Sequence, residues 1–397
     1  MNENAYMEWE DALETIAASG GTTLLIGGMD TGKTTFSRLL LNRCIEVDIS
    51  KENRDVNNKE NSADAEPNAA DSGIRTQTRT ATKKVDRVAV LDADLGQSEI
   101  GPPACVGLAF AGQPVLSLSD LQPALLAFVG SVTPHGWLLE LVTAVRRLAD
   151  STPAGMPLII DTGGYLQGAS ARRLIQTLCD LLAPAHIVAL QRGTELTPFL
   201  PPLRRRGNCT LHLLPIPAAI THKTPRLRTQ RRAMRFAAYF QNAVEHSYNF
   251  DEVAFGGTWL GTGTPLAAHL LKFAAQTLRS RGKVYYAERS DQHLGIMTSH
   301  PVPHDAPELG ILLQELKAKS MTITSAPRLK HLLVGLETGG GKLLGLGSLS
   351  AVDFRRRTLG VLTPVRAPAA ASILRFGSLR VAPDGSEVGT LAPNEIG

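Results

Sequence analysis

The sequence predicts an α/β fold, a mostly parallel sheet flanked by helices, followed by a smaller, mainly β domain. Three observations predict it. Short β-branched or leucine-rich runs alternate with helix-length patterns from Thr22 to Phe240. A glycine-rich turn joins the first of these runs to the first helical pattern. Beyond about Asn249 the texture changes to short strand-like runs broken by Gly and Pro. Strands buried on both faces and separated by helices are the pattern of a sheet wound with crossover connections.

The strand-like runs, in order, are TTLLIGG (Thr22–Gly28), RVAVLDAD (Arg87–Asp94), PLIIDTGG (Pro157–Gly164), AHIVALQ (Ala185–Gln191) and TLHLLPI (Thr210–Ile216). Helical patterns fit Lys33–Cys44, Gly136–Ala149 and Ala169–Ala183. The stretch Lys51–Lys84 is rich in Asn, Asp, Glu, Ala and Thr and almost lacks large apolar residues. It cannot bury enough surface to offset its ordering entropy, so it is expected to be a poorly ordered insertion at about 50–84. Residues 1–248 are assigned to the first domain. The second, 249–397, carries KVYYAE, MTITS, HLLVGLE, KLLGLGSL and TLGVLTPV and is expected to be mainly β, on the pattern of a small barrel.

At 397 residues and 43% hydrophobic, the chain is long enough for two cores. No apolar run has the length of a membrane span, and the amino terminus MNENAYMEWEDA is acidic and polar, so a cytoplasmic location is expected. Cys44, Cys105, Cys179 and Cys209 are scattered with no CxxC spacing, which argues against a zinc site or a disulfide framework and for isolated thiols. The net charge of +4 is modest but unevenly placed. Between Leu196 and Val244 there is no acidic residue, whereas Arg204, Arg205, Arg206, Lys223, Arg226, Arg228, Arg231, Arg232 and Arg235 all fall within it. Such a one-sided block is a candidate surface for phosphates.

Gly27–Thr34 matches G-x-x-x-x-G-K-[ST] between a strand and a helix, the context in which the motif is a phosphate-binding P-loop. The backbone of Gly27, Gly28, Met29, Asp30, Thr31 and Gly32 can wrap a polyphosphate. Lys33 can reach its β and γ phosphates, Thr34 can ligate magnesium, and Thr35 is placed for the α phosphate. Asp30, inside the turn, either orders it or approaches the substrate. The fold class is therefore a P-loop NTPase domain with a trailing β domain, and ATP with Mg²⁺ is the expected ligand pair.

The second strand ends in VAVLDADLGQSEIGPP, which sets Asp92 and Asp94 at the carboxyl edge of the sheet, where open α/β folds bind ligands. One of the two can hold magnesium through water and the other can take a proton from an attacking hydroxyl; the metal role is given to Asp92 together with Thr34. DTGG at Asp161–Gly164 imitates the D-x-x-G of GTPases. Where N-K-x-D would read guanine, however, the chain has LQRGTE (Leu190–Glu195), which argues against a GTPase.

GGMDTGKTT, DADLGQ, GSVTP (Gly130–Pro134), DTGGYLQG (Asp161–Gly168) and the arginine-rich stretch ending RFAAYF follow one another in an order that resembles the polynucleotide 5′-hydroxyl kinases. These are RNA-end kinases related to the pre-mRNA cleavage-factor and ribosomal-RNA-maturation enzymes and their archaeal relatives. The resemblance spans roughly Trp9 to Phe240, and VGLETGGGKLLGLGSL with TLGVLTPV is similar to the family's C-terminal domain. It implies transfer of the ATP γ phosphate to the 5′-OH of RNA or DNA, making a nucleic acid the partner. Asp92, Asp94 and Gln97 look like the family's D-x-D-x-G-Q element, which positions the metal and activates the hydroxyl. Thr162–Tyr165 looks like its T-x-G-W clasp, with Tyr165 in place of the stacking Trp.

The basic block, about 203–240, resembles the family's lid, which implies that one arginine closes over ATP as an arginine finger. Arg228 and Arg231 are the catalytic candidates. Arg232 and Arg235, with Gln97, Ser131, Thr133, Thr162 and Tyr165, are assigned to substrate binding. Two other classes compete with the kinase reading: a P-loop kinase or ATPase with a substrate other than nucleic acid, and a nucleotide-dependent RNA-binding assembly factor with little turnover.

Overall fold

The computed structural model describes residues 3–63, 87–392 and 395. The first sheet has seven strands, β1 (Thr22–Gly27), β2 (Val88–Ala93), β3 (Cys105–Ala111), β4 (Leu125–Phe128), β5 (Leu158–Thr162), β6 (His186–Gln191) and β7 (Thr210–Pro215). They lie in the order β4-β3-β2-β5-β1-β6-β7. The run from β2 to β7 is parallel, while β3 and β4 are antiparallel additions at one edge.

Alternation along β1 shows why both faces must be covered. Leu24 and Ile26 face a core built with α3 (Leu138–Ala149) and α4 (Gly168–Leu182), where Leu141, Val145, Leu174 and Leu178 are buried. Leu25 faces the opposite core, built from α1 (Glu3–Ser19) and α2 (Lys33–Ala63), which contribute Trp9, Leu13, Phe36 and Leu40. A short α5 (Leu200–Arg204) precedes β7, and α6 (Pro225–Phe240) follows it.

Three expectations need correction. First, α2 runs on to Ala63, so residues 51–63 of the expected disordered insertion are helical. The stretch is polar but contains neither Gly nor Pro, and nothing in it interrupts a helix already nucleated at Lys33. The remainder of that insertion, 64–84, lies outside the described residues. Second, the basic segment 203–240 is not one lid element: β7 runs through it as an edge strand of the first sheet, and it is residues 220–223 and α6 that reach the P-loop.

Third, the C-terminal part is mainly β as expected but is built on two open sheets, not a small barrel. β8 (Val244–Asn249) pairs antiparallel with β16 (Thr358–Thr363), so the division after residue 248 cuts through a strand of the second unit. β9 (Ala254–Gly256), β14 (Leu332–Glu337), β15 (Leu343–Asp353), β17 (Ile373–Val381) and β18 (Glu387–Thr390) complete that sheet, whose pairing path ends at β18 and β8. Between them sits a smaller sheet of β10 (Thr264–Pro265), β11 (Val284–Ser290), β12 (His293–Thr298) and β13 (Ser320–Ser325), covered by α7 (Ala268–Thr277) and α8 (Pro307–Glu315). A single turn, α9 (Ala326–Leu329), leads into β14.

Cys44, Cys105 and Cys179 are buried thiols and Cys209 is half-buried. No helix among the described residues is long and apolar enough to cross a membrane.

Candidate active site at the carboxyl edge of the first sheet

The parallel strands β1, β2 and β5 deliver three loops to one edge. β5 lies between the other two, with Asp161 in register with Leu25 on one side and Asp92 on the other. The loop after β5 is seated on the P-loop by a close backbone approach: a Cβ at Gly164 would lie 2.6 Å from the Met29 nitrogen. Any larger residue there would lift the two loops apart.

Lys33 opens α2 and is buried, its ammonium donating to the carbonyls of Gly27 at 3.0 Å and Gly28 at 2.7 Å. Burial lowers its pKa, against the opposing charges of Asp161, Asp94 and Asp30. The Thr34 hydroxyl donates to Asp161 Oδ2 at 2.7 Å, while Asp161 Oδ1 is buried without a hydrogen-bond partner. Burial first, and then the neighbouring charge of Asp92, push the Asp161 carboxyl up; Lys33 and the Thr34 hydrogen bond pull the other way.

Asp92 is also buried, but both its oxygens are in use. Oδ1 accepts from the Asp94 amide at 3.0 Å, and Oδ2 accepts from Ser98 Oγ and from the amides of Glu99 and Ile100 at 3.2, 2.5 and 3.0 Å. This carboxylate folds the loop that follows β2. Asp94 in turn accepts from the amides of Gly96 and Gln97 through Oδ1 at 3.0 Å each, and it remains partly exposed. Thr34, grouped with Asp92 as a metal ligand in the sequence reading, is hydrogen-bonded to Asp161 and not to Asp92. Asp161 was given no role because DTGG was read as a GTPase mimic and, from Thr162 onward, as a substrate clasp; the signal available was an apolar run, PLII, ending in an acid.

The lid arginines are not uncompensated. Arg228 donates to the P-loop carboxylate of Asp30 at 2.9 Å, and the Lys223 amide donates to the same Asp30 oxygen at 3.0 Å. Asp30 holds a left-handed conformation, φ 55°, and its side chain is only 7% exposed. It therefore stands at the amino end of α6, where a carboxylate is favourable. Gln97 reaches across from the β2 loop and donates to the Arg228 carbonyl at 3.3 Å. Arg231 and Arg235 both lie 3.5 Å from Glu99, and Arg235 also donates to the carbonyls of Glu99 and Gly101. Between this face of α6 and the 96–99 loop is a groove of about 150 Å³. Arg232 also lines this groove, and its guanidinium pairs with Glu387 at 2.5 Å. The acids missing from the local sequence come from the P-loop, the β2 loop and the C-terminal sheet.

Several expected substrate contacts are engaged within the fold. The Thr162 hydroxyl is buried and donates to the Leu25 carbonyl at 2.6 Å, tying β5 to β1. Ser131 donates to the Thr133 carbonyl at 2.9 Å and accepts from its amide at 3.2 Å, which is turn chemistry within GSVTP. Thr31 donates to the Gly28 carbonyl, bracing the P-loop. Tyr165 is half-buried with its hydroxyl 2.8 Å from Ser170 Oγ. Met29 is 55% exposed at the tip of the P-loop, and Thr35 is exposed in the first turn of α2.

Residues 72–242 match the model of the mRNA cleavage and polyadenylation factor CLP1 P-loop. A polyribonucleotide 5′-hydroxyl-kinase of Methanocaldococcus jannaschii is 26% identical over 376 residues, covering 94% of this chain and 90% of that protein. One from Thermococcus kodakarensis is 28% identical over 395 residues, covering 97% and 95%. A solved structure of the wild-type Clp1p–Pcf11p complex matches at a TM-score of 0.53 and 13% identity, over 95% of this chain and 79% of that one, which is a likeness of fold. Relatives matched nearly end to end, with the P-loop, the aspartate loop and the arginine helix meeting at one sheet edge, make the chain similar to the polynucleotide 5′-hydroxyl kinases over almost its whole length.

Proposed function

We propose that this protein is an ATP-dependent polynucleotide 5′-hydroxyl kinase that transfers the γ phosphate of ATP to the 5′-OH end of RNA. The observation that carries the reading is the gathering of Lys33, the Thr34–Asp161 pair, Asp94 and the Asp30-held Arg228 at one sheet edge.

Phosphoryl transfer asks a protein mainly for positioning and charge neutralisation. The P-loop amides and Lys33 hold the polyphosphate. Thr34 and Asp161 fit a magnesium ion: they are hard oxygen donors, and Asp161 Oδ1 is a buried acceptor with no hydrogen-bond partner among the described residues. When bound, the metal would neutralise charge on the phosphate oxygens. Asp94, whose second oxygen is unclaimed by the loop, orients the 5′-hydroxyl and accepts its proton. Arg228 exchanges Asp30 for the phosphoryl oxygens, and Arg231 and Arg235 flank the groove that receives the polynucleotide end.

The test is incubation with γ-labelled ATP and short oligonucleotides bearing either 5′-OH or 5′-phosphate ends. Label on the 5′-OH oligonucleotides alone, absent with Lys33→Ala, supports the reading. Intact binding of ATP and RNA with no transfer would favour a nucleotide-dependent assembly factor instead.

A further inference from the structure

We infer that the hairpin joining β17 to β18 positions the arginine-bearing helix α6 for phosphoryl transfer, acting through Glu387 and Gly385. This rests on the kinase reading of Arg228 and Arg231.

α6 belongs to two parts of the molecule. Its first half presents Arg228 and Arg231 to the P-loop and the β2 loop. Its second half is sunk in the C-terminal sheet, where Phe236 and Phe240 are buried with Leu333, Leu346, Leu379 and Val381. There the Tyr239 hydroxyl accepts from the Leu346 amide at 2.7 Å.

The hairpin grips the helix at the junction of these halves. Glu387 accepts from Arg232 through both oxygens, at 2.5 Å from Nε and 3.1 Å from Nη2. The two side chains are only 15% and 17% exposed, so the pair is shielded as surface pairs are not. Gly385 lies across the helix backbone with φ +84°. A Cβ there would come within 2.1 Å of the Ala233 carbonyl oxygen and 2.5 Å of the Ala237 nitrogen. Asp384 closes the turn by accepting from the Ser386 amide and hydroxyl.

Arg228 precedes Arg232 by one helical turn on a continuous helix, so a shift at Arg232 is carried to Arg228. A displacement of about 1 Å at a transferring group costs on the order of a hundredfold in rate. Glu387 is thus a positioning residue although it lies outside the phosphate site, and Arg232 is the side chain through which it holds the helix.

The test is steady-state kinetics with ATP and a 5′-OH oligoribonucleotide for Glu387→Ala, Arg232→Ala, the double variant and the charge swap Arg232→Glu/Glu387→Arg. Each is paired with a melting curve and hydrogen exchange of α6. The expected result for Glu387→Ala is a fall of about tenfold or more in kcat, with little change in either KM and faster exchange over residues 225–235. The double variant should be no worse than the poorer single one, and the swap should recover most of the loss. Wild-type kcat in folded Glu387→Ala overturns the proposal. So does a swap that restores the melting temperature but not kcat, because Arg232 would then be needed for itself. Should Glu387→Ala not fold, Glu387→Gln and Gly385→Ala make the same comparison. An inactive wild-type protein would instead contradict the kinase reading.

Discussion

The Thr34 hydroxyl donates to Asp161 across 2.7 Å, joining the first turn of the P-loop helix to the end of the neighbouring strand. The acid two strands from β1, Asp92, makes no such contact; its oxygens are filled by loop amides and Ser98. Two buried aspartates in register therefore do different work, and substitution should separate them.

Asp161→Asn should preserve the fold, since the amide oxygen can still accept from Thr34, and should weaken Mg²⁺-dependent ATP binding by roughly 10- to 100-fold. Fluorescent-nucleotide titrations with and without Mg²⁺ read this directly. Equal Mg²⁺ enhancement in wild type and variant would return the role to another group.

Asp92→Ala should act on stability. It strands the buried amide of Ile100 and the amides of Asp94 and Glu99, which together should cost roughly 3 kcal/mol. Chemical denaturation measures it, and an unchanged midpoint would mean that the β2 loop is held by other contacts.

Arg228→Ala should lower kcat by about 10³-fold if it acts as the arginine finger. Asp30→Ala should leave a folded protein in which Arg228 is less well held, with a smaller loss. A larger effect at Asp30 than at Arg228 would mean that Asp30 touches substrate itself.

Tyr165→Phe should be close to neutral, because only the contact with Ser170 is lost. Tyr165→Ala should raise the oligonucleotide KM by about tenfold at similar kcat, as expected for a lost stacking partner. Unchanged KM would leave Tyr165 as a strand-end packing residue.

At the opposite edge of the sheet, His186 lies 2.8 Å from Ser19 Oγ and 3.2 Å from His212. Burial lowers the pKa of both, and for His212 the charge of His186 adds to it. Below the ordinary value of 6.5 the unfolded chain takes up protons that the folded one refuses. Stability present above 6.5 should therefore fall as the pH drops through the lower folded values. Melting temperatures at stepwise lower pH should show the decline, and His212→Gln should flatten it; an identical slope would assign the acid sensitivity elsewhere.

The strands that build the site were legible because each is an apolar run bounded by turn residues, and the P-loop was legible because its spacing is demanded by phosphate geometry. What could not be read was pairing at a distance. Asp92 and Asp161 both end buried strands; only the strand order, which puts β5 next to β1, decides which meets Thr34. Likewise, a stretch with no acidic residue looked unpaired until Asp30, Glu99 and Glu387 arrived from three other parts of the chain. The helix of residues 51–63 was missed because its composition lacks an apolar stripe, the feature from which helices are read.

The most direct measurement is transfer of γ-labelled phosphate to a 5′-OH oligoribonucleotide by wild type, Lys33→Ala, Asp161→Asn and a folded Asp92→Asn, with digestion to locate the label. The site geometry predicts label on the 5′-terminal nucleotide with wild type, none with Lys33→Ala, and a much deeper loss for Asp161→Asn than for Asp92→Asn. Equal labelling by Lys33→Ala, or Asp161→Asn at the wild-type rate, would contradict it.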